Sequence, residues 1–360
     1  MNLNISHFRY ACSVLIILLL ACKPSLDGPN PSPITPEKPV TIDKPVILDT
    51  NFIKGADISW VTEMESKGIK FYNKNGVQTE CFALMKEIGM NAIRIRVWVN
   101  PANKWNGIED VIAKCVRAKN LGLKLLIDFH YSDNWADPGK QTKPAAWSSA
   151  TFPVLKDSLK NHTIFILNQL KNAGINPTWV QIGNEVDNGL LWPEGKASLN
   201  MQNFAQLIST GYDASKSIFP NAKVMVHVSN AYNNTLFRWI FDGLKNNGAK
   251  WDIIGMSLYP SYTTGGWQNT NNLCLQNMND MVDRYKTPVM MVEIGMPWDN
   301  ATEANLFIQD LITKVKLVNG NNGLGVFYWE PESYNNWQGY TLGAFDNAGK
   351  PTIALDPFLK

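Results

Sequence analysis

Two glutamates carry the clearest chemical signal in this chain. Glu185 ends the run Trp179-Val180-Gln181-Ile182-Gly183-Asn184, and Glu293 ends Val289-Met290-Met291-Val292. A carboxylate at the mouth of an apolar strand is costly to ionise unless it is paired or its pKa has shifted. If two such groups converge, one can hold a proton for a leaving oxygen while the other, ionised, attacks a carbon or activates water. Hydrolysis of a glycosidic bond needs that division of roles. A carboxyl separation of about 5–5.5 Å favours a covalent, retaining route, and a wider one favours inversion. The competing reading is structural: either glutamate could be salt-bridged, with Arg94 or Arg96 as partner.

Convergence requires a framework that brings distant strands together. From residue 51 the chain alternates β-rich runs with helical stretches. The strand candidates are Phe52–Ile58, Ala92–Trp98, Lys124–Phe129, Trp179–Gly183, Lys223–Val228, Ile253–Leu258, Val289–Glu293 and Gly325–Trp329. Several are near-continuous apolar runs, as strands buried on both faces should be. One amphipathic helix places Ile108, Val111, Ile112, Cys115 and Val116 on one side and Lys114, Arg117 and Lys119 on the other. Another, from about Val154 to Leu170, turns Leu155, Leu159, Ile166, Leu167 and Leu170 inward. Gly89 and Gly122 stand where left-handed helix caps are expected.

Eight strand–helix units over roughly 310 residues match a single α/β domain, a (β/α)8 TIM barrel. An open doubly wound sheet would call for a glycine-rich phosphate turn after the first strand, and none is there. Strands four and seven of a closed barrel face each other across its mouth, so Glu185 and Glu293 can meet. The other polar or aromatic strand ends are Asp57, Arg94, Arg96, Asp128, His130, Asn184, His227, Tyr259, Trp329 and Glu330. The longest connections, from Tyr131 to about Phe152 and from Pro260 to about Leu273, lie at the same end, where barrels build their sites.

Composition narrows the field further. Of 360 residues 45% are hydrophobic and 18% charged, with 33 Lys+Arg against 31 Asp+Glu. A net charge of +2 gives no general basic field for nucleic acid. Thirteen Trp and 11 Tyr are many for this length and suit either a core or a cleft that stacks flat hydroxylated ligands. Four His, none paired at helical spacing, argue against a zinc hydrolase. Cys81, Cys115 and Cys274 have no metal-ligand spacing. Cys115 reads as core filler, and one disulfide among the three stays open.

The first segment concerns export. Arg9 precedes an apolar run, Ala11 to Ala21, that is too short to span a membrane as a mature helix and reads as a signal peptide over residues 1–21. Leu19-Leu20-Ala21-Cys22 resembles a bacterial lipobox, which implies lipidation of Cys22. Residues 22–50 are rich in proline and read as an extended tether. The expectation is a globular body, residues 51–360, held by a lipid in the bacterial cell envelope, on the outer surface or in the periplasm.

Several longer motifs make the resemblance specific. They are Gly55-Ala56-Asp57-Ile58-Ser59, Arg94-Ile95-Arg96-Val97-Trp98-Val99-Asn100-Pro101, Asp128-Phe129-His130-Tyr131-Ser132-Asp133, Trp135-Ala136-Asp137-Pro138-Gly139 and Phe327-Tyr328-Trp329-Glu330-Pro331. With Gly183-Asn184-Glu185 and Val292-Glu293, in this order from about residue 54 to 331, the chain resembles glycoside hydrolase family 53, the endo-β-1,4-galactanases. The resemblance implies retaining hydrolysis of β-1,4-galactan in type I arabinogalactan by a monomer without a cofactor. It implies Glu185 as acid/base and Glu293 as nucleophile. It aligns Arg94 with a strand-two arginine that holds the nucleophile ionised, a role Arg96 could share because it has the same side-chain parity.

The same resemblance puts Asn184 at the sugar 2-hydroxyl, Tyr259 beside the nucleophile and Trp329 beneath the reacting sugar. Galactose carries an axial 4-hydroxyl, so its β-1,4 chain bends. Asp57, Asp128, His130, Tyr131, Trp98, Trp135 and Trp147 are candidates by position for selecting that shape. His130 and His227 are either subsite contacts or satisfied strand-end histidines. Trp60 and Trp298 could be exposed singletons without a role. Some bacterial members carry a calcium-binding loop after strand seven; here Ile294-Gly295-Met296-Pro297-Trp298-Asp299-Asn300 holds too few oxygen ligands, and no metal is expected there. Two alternatives stay open: another retaining barrel glycosidase, such as a β-mannanase or cellulase, or a surface glycan-binding protein without turnover.

Overall fold

Short aliphatic runs, each followed by an amphipathic helix, close here into a ring. The computed structural model describes residues 52–260 and 265–360. Its strands are β1 (Ile53–Asp57), β2 (Ala92–Val97), β3 (Lys124–Phe129), β4 (Trp179–Ile182), β5 (Lys223–Val228), β6 (Ile253–Leu258), β7 (Val289–Ile294) and β8 (Gly323–Trp329). They pair in parallel in chain order, and β1 closes on β8. The described helices are α1 (Val61–Ser66), α2 (Cys81–Glu87), α3 (Ile108–Asn120), α4 (Phe152–Asn172), α5 (Met201–Ile218), α6 (Asn234–Asn246), α7 (Gly266–Tyr285) and α8 (Ala301–Lys316). The described residues thus form the expected (β/α)8 barrel. The leader, Cys22 and the tether up to residue 50 lie outside the described residues.

Period-two alternation sorts the strand residues into two environments. Ile93, Ile95 and Val97, with Ile127 and Phe129, turn outward into the helix layer. Ala92, Leu126, Trp179, Met225, Ile253, Met290 and Phe327 turn inward as an apolar plug. Full burial of such side chains contributes about 1.5–3 kcal/mol each. Gly55 leaves room for this plug, because a Cβ there would lie 2.3 Å from the Phe327 ring. Two residues along, the same inward positions become polar: Ala92 gives way to Arg94, Leu126 to Asp128, Trp179 to Gln181 and Met225 to His227. A dry floor therefore supports a charged layer directly beneath the barrel mouth.

The register breaks at one place that matters for the site. Met256 pairs with Met291, but Ser257 pairs with Glu293, so Val292 is an extra residue in β7. This bulge reverses the alternation, and both Val292 and Glu293 face the interior side. Without it Glu293 would share the outward parity of Met291 and lie in the helix layer.

Two expectations about elements change. Lys114 is fully buried on the inner face of α3, spaced with Val111, Cys115 and Ala118 at helical intervals. Its ammonium is held by Asp110 (2.8 Å), Asn106 Oδ1 and the Ser59 carbonyl (both 2.7 Å), which is how a lysine can tolerate that side of the helix. The connection after β6 ends at Gly266, earlier than expected, because α7 begins there with Gly265 in a left-handed conformation. Cys81, Cys115 and Cys274 are buried free thiols.

Candidate active site

The barrel mouth opens into a cleft of about 640 Å³ lined by aromatic and polar side chains, Glu185 and Glu293 among them. Glu293 is buried, and Arg94 reaches its Oε1 at 2.8 Å while the Tyr259 hydroxyl donates to Oε2 at 3.1 Å. Arg94 is itself nearly inaccessible and spends every nitrogen. Its Nη1 also meets Asp57 (2.9 Å), its Nη2 meets Asp128 (2.9 Å) and Asn184 Oδ1 (2.8 Å), and its Nε donates to Gln181 (3.2 Å). Burial works against its charge, but Asp128, Glu293 and Asp57 outweigh that and hold the guanidinium firmly protonated.

Glu185 sits on a different support. The chain leaves β4 through Gly183 (φ +78°) and Glu185 (φ +44°). A left-handed glutamate costs about 1–3 kcal/mol, and the neighbouring bonds that hold it there are the compensation. The Val186 amide donates to the His227 carbonyl (2.9 Å), and the Glu185 amide approaches His227 Nδ1 (3.4 Å). His227 Nε2 lies 2.7 Å from Ser257 Oγ, and the Ser257 hydroxyl in turn acts on the Glu185 carboxyl. Burial, followed by the positive charge of Arg94, pushes His227 well below its ordinary pKa, so a neutral imidazole bridges this chain.

The two glutamates have different proton affinities for identifiable reasons. Burial raises both. For Glu185 the next cause is the negative charge of Glu293, which adds to the rise, and it stands well above the ordinary carboxyl range. For Glu293 the next cause is Arg94, which opposes burial; with help from Tyr259 it holds the carboxyl at about 7. Glu293 therefore gives up its proton first, and Glu185 keeps one beside an ionised partner. Such a pair can donate a proton from one side of a bound molecule and an electron pair from the other.

One wall of the cleft is aromatic. Trp60 packs edge-on against Trp135 (5.6 Å between centroids) and Trp329 (5.1 Å); Trp135 also meets Trp98 (5.2 Å), and Trp329 meets Tyr340 (4.7 Å). Trp60 is thus part of the cleft and not an exposed singleton. Trp298 is half-buried, with its amide bonded to the Thr341 carbonyl, and does not line the cleft.

The candidates separate by depth. Asn184, His130, Trp98, Trp135, Tyr259 and Trp329 line the cleft with the two glutamates. Asp57, Asp128, Arg94 and His227 do not; they lie fully buried in the charged layer below, where they fix the groups above them, and Arg96 is likewise buried, behind the aromatic wall. Arg94, and not Arg96, contacts Glu293; Arg96 pairs with Glu330 instead. Tyr131 is the clear correction. It shares the outward parity of Phe129, stacks on it at 5.4 Å and bonds Thr163 Oγ1 at 2.8 Å in the helix layer. Trp147 packs against His162, also away from the cleft.

Tyr131→Phe is therefore expected to leave kcat/KM within about twofold and to lower stability by about 1 kcal/mol, the net value of one buried hydrogen bond. Thermal melting together with rates on polysaccharide checks this; a large rate loss would return Tyr131 to the site. Residues missed in the sequence are Gln181 and Ser257, whose inward parity within apolar strands was the available signal. Tyr340 and Glu332 follow β8 in irregular chain, where no periodicity points to them.

Comparisons with known proteins agree over most of the chain. The family model described as glycosyl hydrolase family 53 matches residues 53–307 and 300–358. An arabinogalactan endo-β-1,4-galactanase of Thermothelomyces thermophilus is 34% identical over 79% of this chain and 90% of its own length. An endo-β-1,4-galactanase of Bacillus subtilis (strain 168) is 31% identical over 78% of this chain and 70% of its own. A solved fungal β-1,4-galactanase superposes with a TM-score of 0.80 at 32% identity, covering 86% of this chain and 99% of that one.

Proposed function

Because the chain belongs to glycosyl hydrolase family 53 and is a glycoside hydrolase, we propose that it is an endo-β-1,4-galactanase that works by retaining double displacement. On this reading Glu293 attacks the anomeric carbon and forms a galactosyl ester while Glu185 protonates the departing oxygen. Water then attacks the ester, Glu185 takes its proton, and the free sugar leaves with its original anomeric configuration. The observation that carries the reading is the unequal pair: two carboxyls in one cleft, one paired with Arg94 and Tyr259, the other pushed up by burial and by its neighbour. Arg94 keeps the attacking oxygen in place. Asn184, whose Oδ1 accepts from Arg94 and whose Nδ2 donates to the Ala136 carbonyl at 2.9 Å, is held rigid to meet the sugar 2-hydroxyl.

Substrate choice is the testable part. Linear β-1,4-galactan, β-mannan and cello-oligosaccharides are offered in parallel, and the first-formed anomer is read by NMR. Internal cleavage of galactan with β-anomeric product is expected. Inertness on galactan with turnover of another chain, or an initial α-anomer, would sink the reading. We also propose that lipid at Cys22 tethers the enzyme to a membrane of the cell envelope. Cys22→Ser is then expected to move activity from the membrane fraction to the soluble fraction; unchanged membrane recovery would remove the anchor.

A further inference from the structure

A second charged cluster lies behind the aromatic wall and is not used in the bond-breaking scheme. Arg96 is 1% exposed and its guanidinium carbon sits 4.4 Å from the Trp135 ring centroid, 5.2 Å from Trp60 and 5.6 Å from Trp98. Its Nη1 pairs with Glu330 Oε1, while its Nε and Nη2 have no hydrogen-bond acceptor. A buried cation with two nitrogens lacking oxygen partners is costly, and here the indole faces are what compensates it. Glu330 is also fully buried and uses its second oxygen to accept the Trp60 amide at 3.2 Å. One ion pair therefore ties β2, the residue after β8 and the backbone of Trp60, and its positive end is enclosed by three of the indoles that form the cleft wall.

Glu332 completes the group. It is fully buried, and its carboxyl shares a hydrogen bond with that of Glu330. Burial and then the charge of Glu330 push its carboxyl well above the ordinary range, so it carries a proton at neutral pH. The groups facing it are Glu330 beside it, Asp57 from β1 and Cys81 from α2. Lys114 from α3, paired with Asp110, acts on Arg96 and Glu330 from behind. With Glu332 neutral, Arg96 and Glu330 cancel. A second buried negative charge beside Glu330 would compete for Arg96 and draw it from the indoles.

We propose that Arg96, Glu330 and Glu332 act as one positioning cluster that holds Trp60, Trp98 and Trp135 in their sugar-binding arrangement, so that it governs the KM for a polysaccharide more than kcat. None of the three lines the cleft, so each acts through the indoles. The proposal rests on the cleft being the carbohydrate site argued above. The charge balance also gives it a pH sense. Glu332 must stay protonated and Glu330 ionised, so the arrangement is intact near neutral pH; it is lost as pH rises through the value Glu332 has in the folded chain, and as pH falls through that of Glu330, which burial raises.

The test uses the full chain with Glu330→Gln and Glu332→Gln, reading kcat and KM on galactan across pH, thermal melting, and near-ultraviolet circular dichroism of the tryptophans. Glu330→Gln is expected to raise KM about tenfold or more, the scale of a lost charge-assisted hydrogen bond, with kcat changed far less and the tryptophan signal altered. Glu332→Gln is expected to abolish the alkaline rise in KM, because a carboxamide cannot ionise. Lower melting temperatures with wild-type KM, pH dependence and tryptophan signal in both variants would overturn the cluster. Should Glu330→Gln not fold, the KM profile of Glu332→Gln decides alone. Failure of the wild-type chain to cleave galactan would strike the functional reading only; the tryptophan signal still judges the cluster.

Discussion

Glu293→Ala is expected to lower kcat on galactan by about four orders of magnitude or more, the scale on which a covalent nucleophile is lost. The carboxylates that share Arg94 with it cannot take its place. Asp57 and Asp128 are fully buried beneath Arg94 and do not line the cleft. The variant also removes the largest outside charge that raises Glu185, so the remaining acid should titrate lower. It leaves Arg94 with Asp57 and Asp128, so the guanidinium is not orphaned and the fold should persist. The check is single-turnover and steady-state hydrolysis, with melting to confirm folding. Added azide can occupy the space left by the carboxylate and attack from the same side. The product would then be an α-galactosyl azide of inverted configuration. Residual turnover within tenfold of wild type would mean that the attacking group lies elsewhere.

Glu185→Ala should produce a different and more diagnostic pattern. On galactan, whose leaving oxygen needs a proton, kcat/KM is expected to fall about 10²–10⁴-fold, the usual contribution of a general acid. On an activated dinitrophenyl glycoside of a galacto-oligosaccharide, kcat/KM should stay near wild type, because that leaving group departs without protonation. Its kcat should still fall, since Glu185 also draws the proton from water in the second step. Azide needs no such base and should restore kcat, giving a β-galactosyl azide. The pH profile supplies an independent sign. In the wild type, kcat/KM should rise as Glu293 ionises near 7 and fall at higher pH as Glu185 loses its proton. In Glu185→Ala the alkaline limb should vanish for the activated substrate. An equal loss on both substrates, or an unchanged alkaline limb, would contradict the assignment.

The contrast between the two arginines of β2 shows how far side-chain pattern can be taken. Arg94 and Arg96 share inward parity, so alternation alone assigns both to the interior and leaves their partners open. Depth along the barrel axis separates them. Arg94 lies level with Asp57, Asp128 and Gln181 in the charged layer and reaches up to Glu293. Arg96 stands one layer higher on the β1–β8 side, where Glu330 and the indoles surround it. Level is set by the stagger between neighbouring strands, a relation between distant segments that no single stretch of chain contains.

The eight strand–helix units, the polar residues at the ends of apolar strands and the two glutamates at facing strand ends are legible in the chain itself. These are local properties: burial period, cap residues and a carboxylate ending an apolar run each leave a mark within a few residues. Tertiary structure alone decided the rest. The bulge at Val292 that aims Glu293 into the mouth depends on how β7 pairs with β6. The burial of Lys114 depends on a carbonyl from Ser59, and the place of Trp60 in the wall depends on Glu330, 270 positions away. Each was settled by which partner lay within reach after closure, because a buried charge or amide is tolerated only where a distant segment happens to satisfy it.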